Sequence, residues 1–289
     1  MAHLEDSQQR VIDVVQSSIG PVTSLRAQSG GDVARSFEVR LADGSSVFAK
    51  THTDPPPGFF STEATGLAWL AETATVPVPT VLAVDDDAAV LVLEWISVGA
   101  GRGDDADFGR SLAAMHRSGA DTFGRTDRRT TGSRRLPNEP CETWAEFYRT
   151  QRLLPLARLA ADGGALPANS VSALEAVAGR LEELGGPPEP AARLHGDLWA
   201  GNRLVDVDGR SWLIDPACHG GHREFDLAMM RLFGGFGPAT FAAYAEIWPP
   251  APGVERRVLL HQLAPLVVHA VKFGGPYVAA TEQALAFYR

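Results

Sequence analysis

At 289 residues and 45% hydrophobic side chains, the chain can bury one large core or two smaller ones, and its composition is that of an ordinary globular protein. Its 26 Lys and Arg against 35 Asp and Glu leave a formal charge of -9, which argues against a general binder of nucleic-acid backbones. Cys141 and Cys218 form no disulfide framework and no CxxC spacing, the N-terminus lacks a basic-then-apolar leader, and no apolar run reaches membrane length. The expectation is a soluble, cytoplasmic protein that engages neither nucleic acid nor membrane.

Residues 4–19 carry Val11, Val14, Val15 and Ile19 at helical spacing, with Gly20-Pro21 as the stop. Val22 to Arg26 reads as a strand, 29–32 as a flexible loop containing Gly30 and Gly31, and Phe37-Val39-Leu41 as an alternating strand ending at Asp43-Gly44. A third strand, 47–50, ends in Lys50. Glycine-loop amides can approach phosphates closely and a strand lysine can neutralise their oxygens, so this order suits a nucleotide-binding lobe. The loop does not match G-x-G-x-x-G; taken alone, Gly30-Gly31 reads first as an ordinary turn and Lys50 as a solvated strand end.

Past the Pro-rich 54–58, residues 61–72 read as a helix capped by Ser61 or Thr62, with Leu67 and Leu70 buried and Glu63 in its first turn. Glu63 is there either as a favourable helix-dipole carboxylate or as the ion-pair partner that aims Lys50 at phosphates. Two apolar strands, 81–84 and 89–93, flank the acidic turn 85–87. Glu94-Trp95-Ile96 then runs into the Gly-rich 99–103, a composition shift expected to separate an N-terminal nucleotide-binding lobe (1–96) from a catalytic and substrate lobe (97–289). Main-chain groups at such a hinge, at Glu94 and Ile96, are candidates to meet an adenine edge.

From Asp107 the pattern is helical, with faces at Phe108, Leu112 and Met115, at Trp144, Phe147, Gln151 and Leu154, and at Val171, Leu174, Ala178, Leu181 and Leu184. The basic 125–135 between them reads as a solvated loop. At 195–202 the chain reads HGDLWAGN, the H-x-D-x-x-x-x-N spacing of a phosphoryl-transfer loop: Asp197 beside an attacking hydroxyl, and Asn202 with an amide oxygen able to ligate Mg²⁺. Leu204-Val205, the turn 208–210 and Trp212-Leu213-Ile214 predict a hairpin, and Asp215 just past it takes the place of a second metal-binding carboxylate. The helix entered through 220–228 contains Asp226, a carboxylate among apolar residues whose expected task is to anchor the loop backbone or His195. Two further helices, 240–248 and 254–273, close the chain, with His269 and Lys272 by default a satisfied core histidine and a helix-end cation.

The stretch LHGDLWAGN followed by LIDPACHGGHREFDLAMMRLFGGF resembles the fructosamine kinase (ketosamine-3-kinase) family, within the wider group of aminoglycoside phosphotransferase and choline kinase-like enzymes. Trp199, Asp215-Pro216-Ala217, Gly221-His222 and Asp226-Leu227-Ala228 narrow it to that family, and Phe123-Gly124, 138–144 and Phe273-Gly274 with Tyr277 extend it over nearly the whole chain. The resemblance implies an α+β, two-lobed protein-kinase-like fold, with a small antiparallel sheet lobe carrying a helix and a larger, mainly helical lobe. It also implies a monomeric enzyme that uses ATP and Mg²⁺ to phosphorylate the sugar 3-hydroxyl of small-molecule or protein-bound ketosamines, a step towards deglycation. Carried over by position, Asp197 is the base, Asn202 and Asp215 are the metal ligands, and Lys50 with Glu63 orients phosphates. Trp199, whose apolar ring complements a C–H-rich sugar face, is the expected substrate contact together with His269 and Lys272, although Val268 and Lys272 stand where the family pattern has more polar Asn and His character. The loop at 30–32 lacks the cysteine some members carry, so thiol control there is not expected. An aminoglycoside or amino-alcohol kinase, and a silent nucleotide-binding module, are the competing readings.

Overall fold

The structure, a computed structural model, describes residues 2–28 and 34–289. It divides into two compact units. One takes the chain up to Asp104, with Thr131–Arg135 and Asn202–Ala217; the other holds Asp105–Thr130, Leu136–Gly201 and Cys218–Arg289. Beside the expected division after residue 96, the chain leaves the first unit at 104 and returns to it for the hairpin.

In the first unit α1 (Ala2–Ser18) precedes β1 (Val22–Gln28), β2 (Arg35–Leu41) and β3 (Ser46–Thr51), then α2 (Phe59–Ala71), β4 (Val81–Asp85) and β5 (Val90–Glu94). The strands form one antiparallel sheet in the order β1-β2-β3-β5-β4. Its period-2 alternation builds two apolar layers. Phe37, Val39, Val47, Ala49, Val90 and Val92 face the α1 residues Val11, Val14 and Val15. Leu91 and Leu93 face the α2 residues Phe60, Ala64 and Leu67. Lys50 pairs with Leu91 across β3 and β5, so alternation sends its side chain to the α2 face.

The α2 start differs from the sequence expectation. The helix begins at Phe59 behind Gly58, which adopts a left-handed φ of 72°, and no side chain caps it. Ser61 and Thr62 lie inside it, and Glu63 sits beyond the first turn, on the face shared by Phe60 and Leu67. The sharp turn out of the Pro-rich segment, which glycine alone makes cheaply, sets the boundary that the cap residues were expected to set.

The second unit is built from α3 (Asp105–Arg117), α4 (Trp144–Phe147), α5 (Leu154–Asp162), α6 (Ala168–Ala178), α7 (Leu181–Leu184), α8 (Glu224–Phe233), α9 (Pro238–Ile247), α10 (Val254–Phe273) and α11 (Pro276–Ala286), plus a two-stranded ribbon pairing Ala192–Leu194 with His219–Gly221. The ribbon and α11 are absent from the sequence expectation, which closed the chain at 273. The ribbon's strands are three residues long, too short for a visible alternation. α11 is nearly featureless in its pattern, but it packs Ala284 and Leu285 into the large core beside Leu260 and Leu263.

Between α4 and α5 the chain makes a π-helical turn over Tyr148–Leu153. The wider turn adds a residue, so the buried face runs Trp144, Phe147, Tyr148, Leu153, Leu156 and not through Gln151 and Leu154 as the regular spacing predicts. It also delivers Tyr148 to the break that Pro265 makes inside α10. Proline has no N–H, so the carbonyl of His261 loses its helical donor. The Tyr148 hydroxyl donates towards Leu260 O at 2.8 Å and His261 O at 3.2 Å, and accepts the Ala264 N–H at 3.2 Å. Burial pushes that phenol well above its ordinary pKa, which keeps the donor proton in place.

Candidate active site

In the first unit, Lys50 is 5% exposed and its ammonium lies between two carboxylates. Glu63 Oε1 stands 2.7 Å away, and Asp215 Oδ1 makes the second contact. Burial lowers the Lys50 pKa, but the Glu63 and Asp215 charges outweigh it and hold the ammonium protonated, above its ordinary value. Burial raises the Glu63 carboxyl above the usual carboxylate range, with Asp215 adding to the shift and Lys50 opposing it.

The hairpin joins Arg203–Val205 to Ser211–Leu213 in antiparallel register, as its sequence pattern predicts. Asp206 organises the turn: one oxygen accepts the Asp208 and Arg210 amides at 3.0 and 2.8 Å, the other the Trp212 indole N–H at 2.8 Å. The register continues past the strands, where the Ile214 N–H donates to Asn202 O at 3.0 Å. Asn202 and Asp215 are thereby held at the open end of one ladder. Asp215 adopts a left-handed φ of 55°, uncommon for a non-glycine residue and more tolerable for Asp than for a branched side chain. Asn202 is 5% exposed, whereas the Asp215 side chain keeps 37% of its surface.

The loop with Asp197 belongs to the second unit. Leu198 is fully buried and pins the loop, while its neighbours Asp197 and Trp199 remain accessible, Trp199 with 43% of its surface. Asp226, fully buried on α8, accepts the His195 N–H at 2.8 Å on one oxygen and the Gly196 N–H at 3.0 Å on the other. The anchoring task expected of Asp226 is thus performed on the backbone; the His195 ring instead accepts the Asp197 N–H on Nδ1 at 3.3 Å. Sequence reasoning missed what stands behind it. His116 Nε2 lies 3.3 Å from Asp226, and Tyr244 hydroxyl lies 2.8 Å from His116 Nδ1. With Nε2–H donating to Asp226, Nδ1 accepts the tyrosine O–H. Burial alone raises the Asp226 pKa, but the His116 hydrogen bond and neighbouring charges leave it below the ordinary value, so it stays an acceptor. The available signal was a histidine on the buried face of an amphipathic helix.

Gly30 and Gly31 lie outside the described residues. The Glu94 carboxylate accepts Thr80 N–H and hydroxyl at 3.1 and 3.0 Å, and its own N–H donates to Thr80 O at 2.9 Å, so it braces the β4 edge next to the half-buried Ile96. His269 is half-buried, bonded through Nδ1 to Pro265 O at 2.8 Å and ringed by Phe233, Tyr277 and Phe273 at centroid distances of 4.8, 4.9 and 5.5 Å. The Lys272 ammonium sits 4.7 Å over the Phe273 ring. Both therefore have structural partners of their own.

The model of the fructosamine kinase family matches residues 6–288. The chain belongs to the fructosamine kinase family. Within this family it is 35% identical over 273 residues to a probable ketoamine kinase of Synechocystis, covering 91% of this chain and 90% of that one. It is 31% identical over 285 residues to the chloroplastic protein-ribulosamine 3-kinase of Arabidopsis thaliana, covering 96% and 86%. A family structure assigned as a fructosamine-3-kinase from Thermobifida fusca superposes with a TM-score of 0.86 at 41% identity, over 96% and 98% of the two chains. Choline kinase LicA of Streptococcus pneumoniae, at 14% identity and a TM-score of 0.66 over 98% and 99%, shares the fold. This family member thus has the α+β protein-kinase-like fold that its motifs imply.

Proposed function

We propose that the protein is an ATP-dependent ketosamine 3-kinase, transferring the γ-phosphoryl group to the sugar 3-hydroxyl of fructosamine or ribulosamine adducts, small or protein-bound. The observation that carries this reading is the loop at 195–202, its backbone clamped by Asp226, in a chain matched to the family over residues 6–288. Asp197 accepts the proton of the attacking hydroxyl as the new P–O bond forms. Lys50, aimed by Glu63, binds phosphate oxygens and helps place the group for in-line transfer. Trp199 packs its ring on the C–H-rich face of the sugar, and His269 and Lys272 extend that substrate surface. Main-chain groups around Glu94 and Ile96 receive the adenine.

The residues present fit Mg²⁺: Asp215 and Asn202 offer hard oxygen donors, in a cluster where two carboxylates share a single ammonium. Bound there, the ion would neutralise charge on the phosphate oxygens. Among the described residues no helix is long and apolar enough to cross a membrane.

The test is ADP release from Mg-ATP with ribuloselysine, fructoselysine, kanamycin and choline offered side by side. Turnover confined to the two ketosamines is expected, and the ratio between them ranks the sugars. Turnover with kanamycin or choline alone would overturn the substrate assignment and leave the kinase chemistry standing.

A further inference from the structure

Trp199 is the exposed aromatic beside the proposed base, and what fixes its ring is a glycine. A Cβ built on Gly201 would lie 2.2 Å from Trp199 Cη2 and 2.5 Å from both Cζ2 and Cζ3, distances no real Cβ tolerates. The benzo edge of the indole therefore rests directly on the Gly201 Cα, folded back over the 3₁₀ turn Ala200–Asn202, while 43% of the residue's surface stays open. Gly201 does not occupy the left-handed region, so alanine is compatible with its backbone; the indole is the obstacle. On the turn's other flank, a Cβ on Gly235 would lie 2.3 Å from the Ala200 Cβ. The turn is thus seated against one glycine and its tryptophan against another.

We propose that Gly201 is a positioning residue that presets the Trp199 indole as a platform for the sugar face, with Gly235 seating the turn that carries it. The inference rests on the ketosamine reading for the identity of the ligand, though not for the pose of the ring. A preset ring loses little rotamer freedom when substrate arrives, so its contact adds to affinity without an ordering cost. A side chain at 201 displaces the ring and acts on sugar binding through it, leaving the nucleotide side alone.

The experiment compares wild type, Gly201→Ala, Trp199→Ala and the double variant, using ribuloselysine and fructoselysine. Gly201→Ala is expected to raise the ketosamine KM about fivefold to tenfold, the scale of one lost ring contact, with kcat and the ATP KM within about twofold. In the Trp199→Ala background the same substitution is expected to add nothing, because the group it acts through is gone. An unchanged KM, or an equal penalty in both backgrounds, overturns the proposal. Fluorine NMR of fluorotryptophan-labelled protein, with the Trp199 signal assigned by Trp199→Phe, reads the pose without substrate. Gly201→Ala is expected to move that resonance and leave the other tryptophans in place. If the wild type turns over neither ketosamine, the ligand assignment fails and the fluorine shift decides the positioning claim: a moved Trp199 signal upholds it, an unmoved one overturns it.

Discussion

Lys50 and Asp226 are both buried charges, one in each unit, and their surroundings treat them in opposite ways. The Lys50 ammonium is shared by carboxylates from α2 and from the end of the hairpin, so charge in that cluster is unbalanced towards the anionic side. Asp226 spends both oxygens on backbone amides of the 195–202 loop and is backed by His116 and Tyr244. A group that must exchange partners with a ligand is left with competing contacts, whereas one that holds a backbone in place is saturated with hydrogen bonds. The largest test addresses what the saturated network holds. Asp197→Asn is expected to lower turnover at least ~10²-fold while ATP still binds, as measured by single-turnover kinetics beside nucleotide titration. Near-wild-type turnover would remove Asp197 from the base role.

Lys50→Ala sharpens the other side of the comparison. It is expected to reduce kcat/KM for ATP by about 10²-fold and to destabilise the fold, because it strands the buried Glu63 carboxyl. Adding Glu63→Gln is expected to recover the melting temperature and not the activity. Recovery of both would mean that the pair serves stability alone. For the anchor itself, Asp226→Asn keeps one acceptor oxygen and sets an amide nitrogen against the other backbone N–H, and is expected to cost about 2–4 kcal/mol in urea unfolding. A cost near zero would show that the loop does not depend on this clamp.

The smallest effect concerns His222, buried against His261 with ring centroids 5.2 Å apart. Burial, with His261 beside it, pushes the His222 pKa down from 6.5 to about 3. Below pH 6.5 the unfolded chain binds a proton that the folded protein refuses until about pH 3, so stability falls as pH falls through that window. The slope from this residue is at most ~1.4 kcal/mol per pH unit. His222→Gln is expected to flatten unfolding free energy between about pH 6.5 and 5 relative to wild type. An unchanged slope would place the histidine's proton elsewhere.

Legibility followed the range of the interaction. The hairpin between Asn202 and Asp215 was readable because its alternation and turn are local, and Glu63 was readable as an ion-pair partner of Lys50. The π-helical turn was hidden, since one inserted residue leaves no mark in a periodic pattern until the buried face is seen to shift from Gln151 to Arg152 and Leu153. The start of α2 was misjudged because Ser61 and Thr62 look like caps, while the turn at Gly58 decides.

By itself the sequence determined the order of the sheet strands and of most helices, the hairpin after the 195–202 motif, and, through its resemblance to the family, the α+β class. The strands, helices and hairpin are written in neighbouring residues, through turn chemistry, period or spacing, and the resemblance rests on motifs that are likewise local. Tertiary structure alone decided that Lys50 meets Asp215 across 165 residues, that His116 and Tyr244, 128 residues apart, stand behind Asp226, and that Tyr148 repairs the Pro265 break 113 residues away at His261 O. Such contacts require polar atoms to arrive within about 3 Å of each other after the apolar layers have packed, and no local pattern along the chain reports that distance.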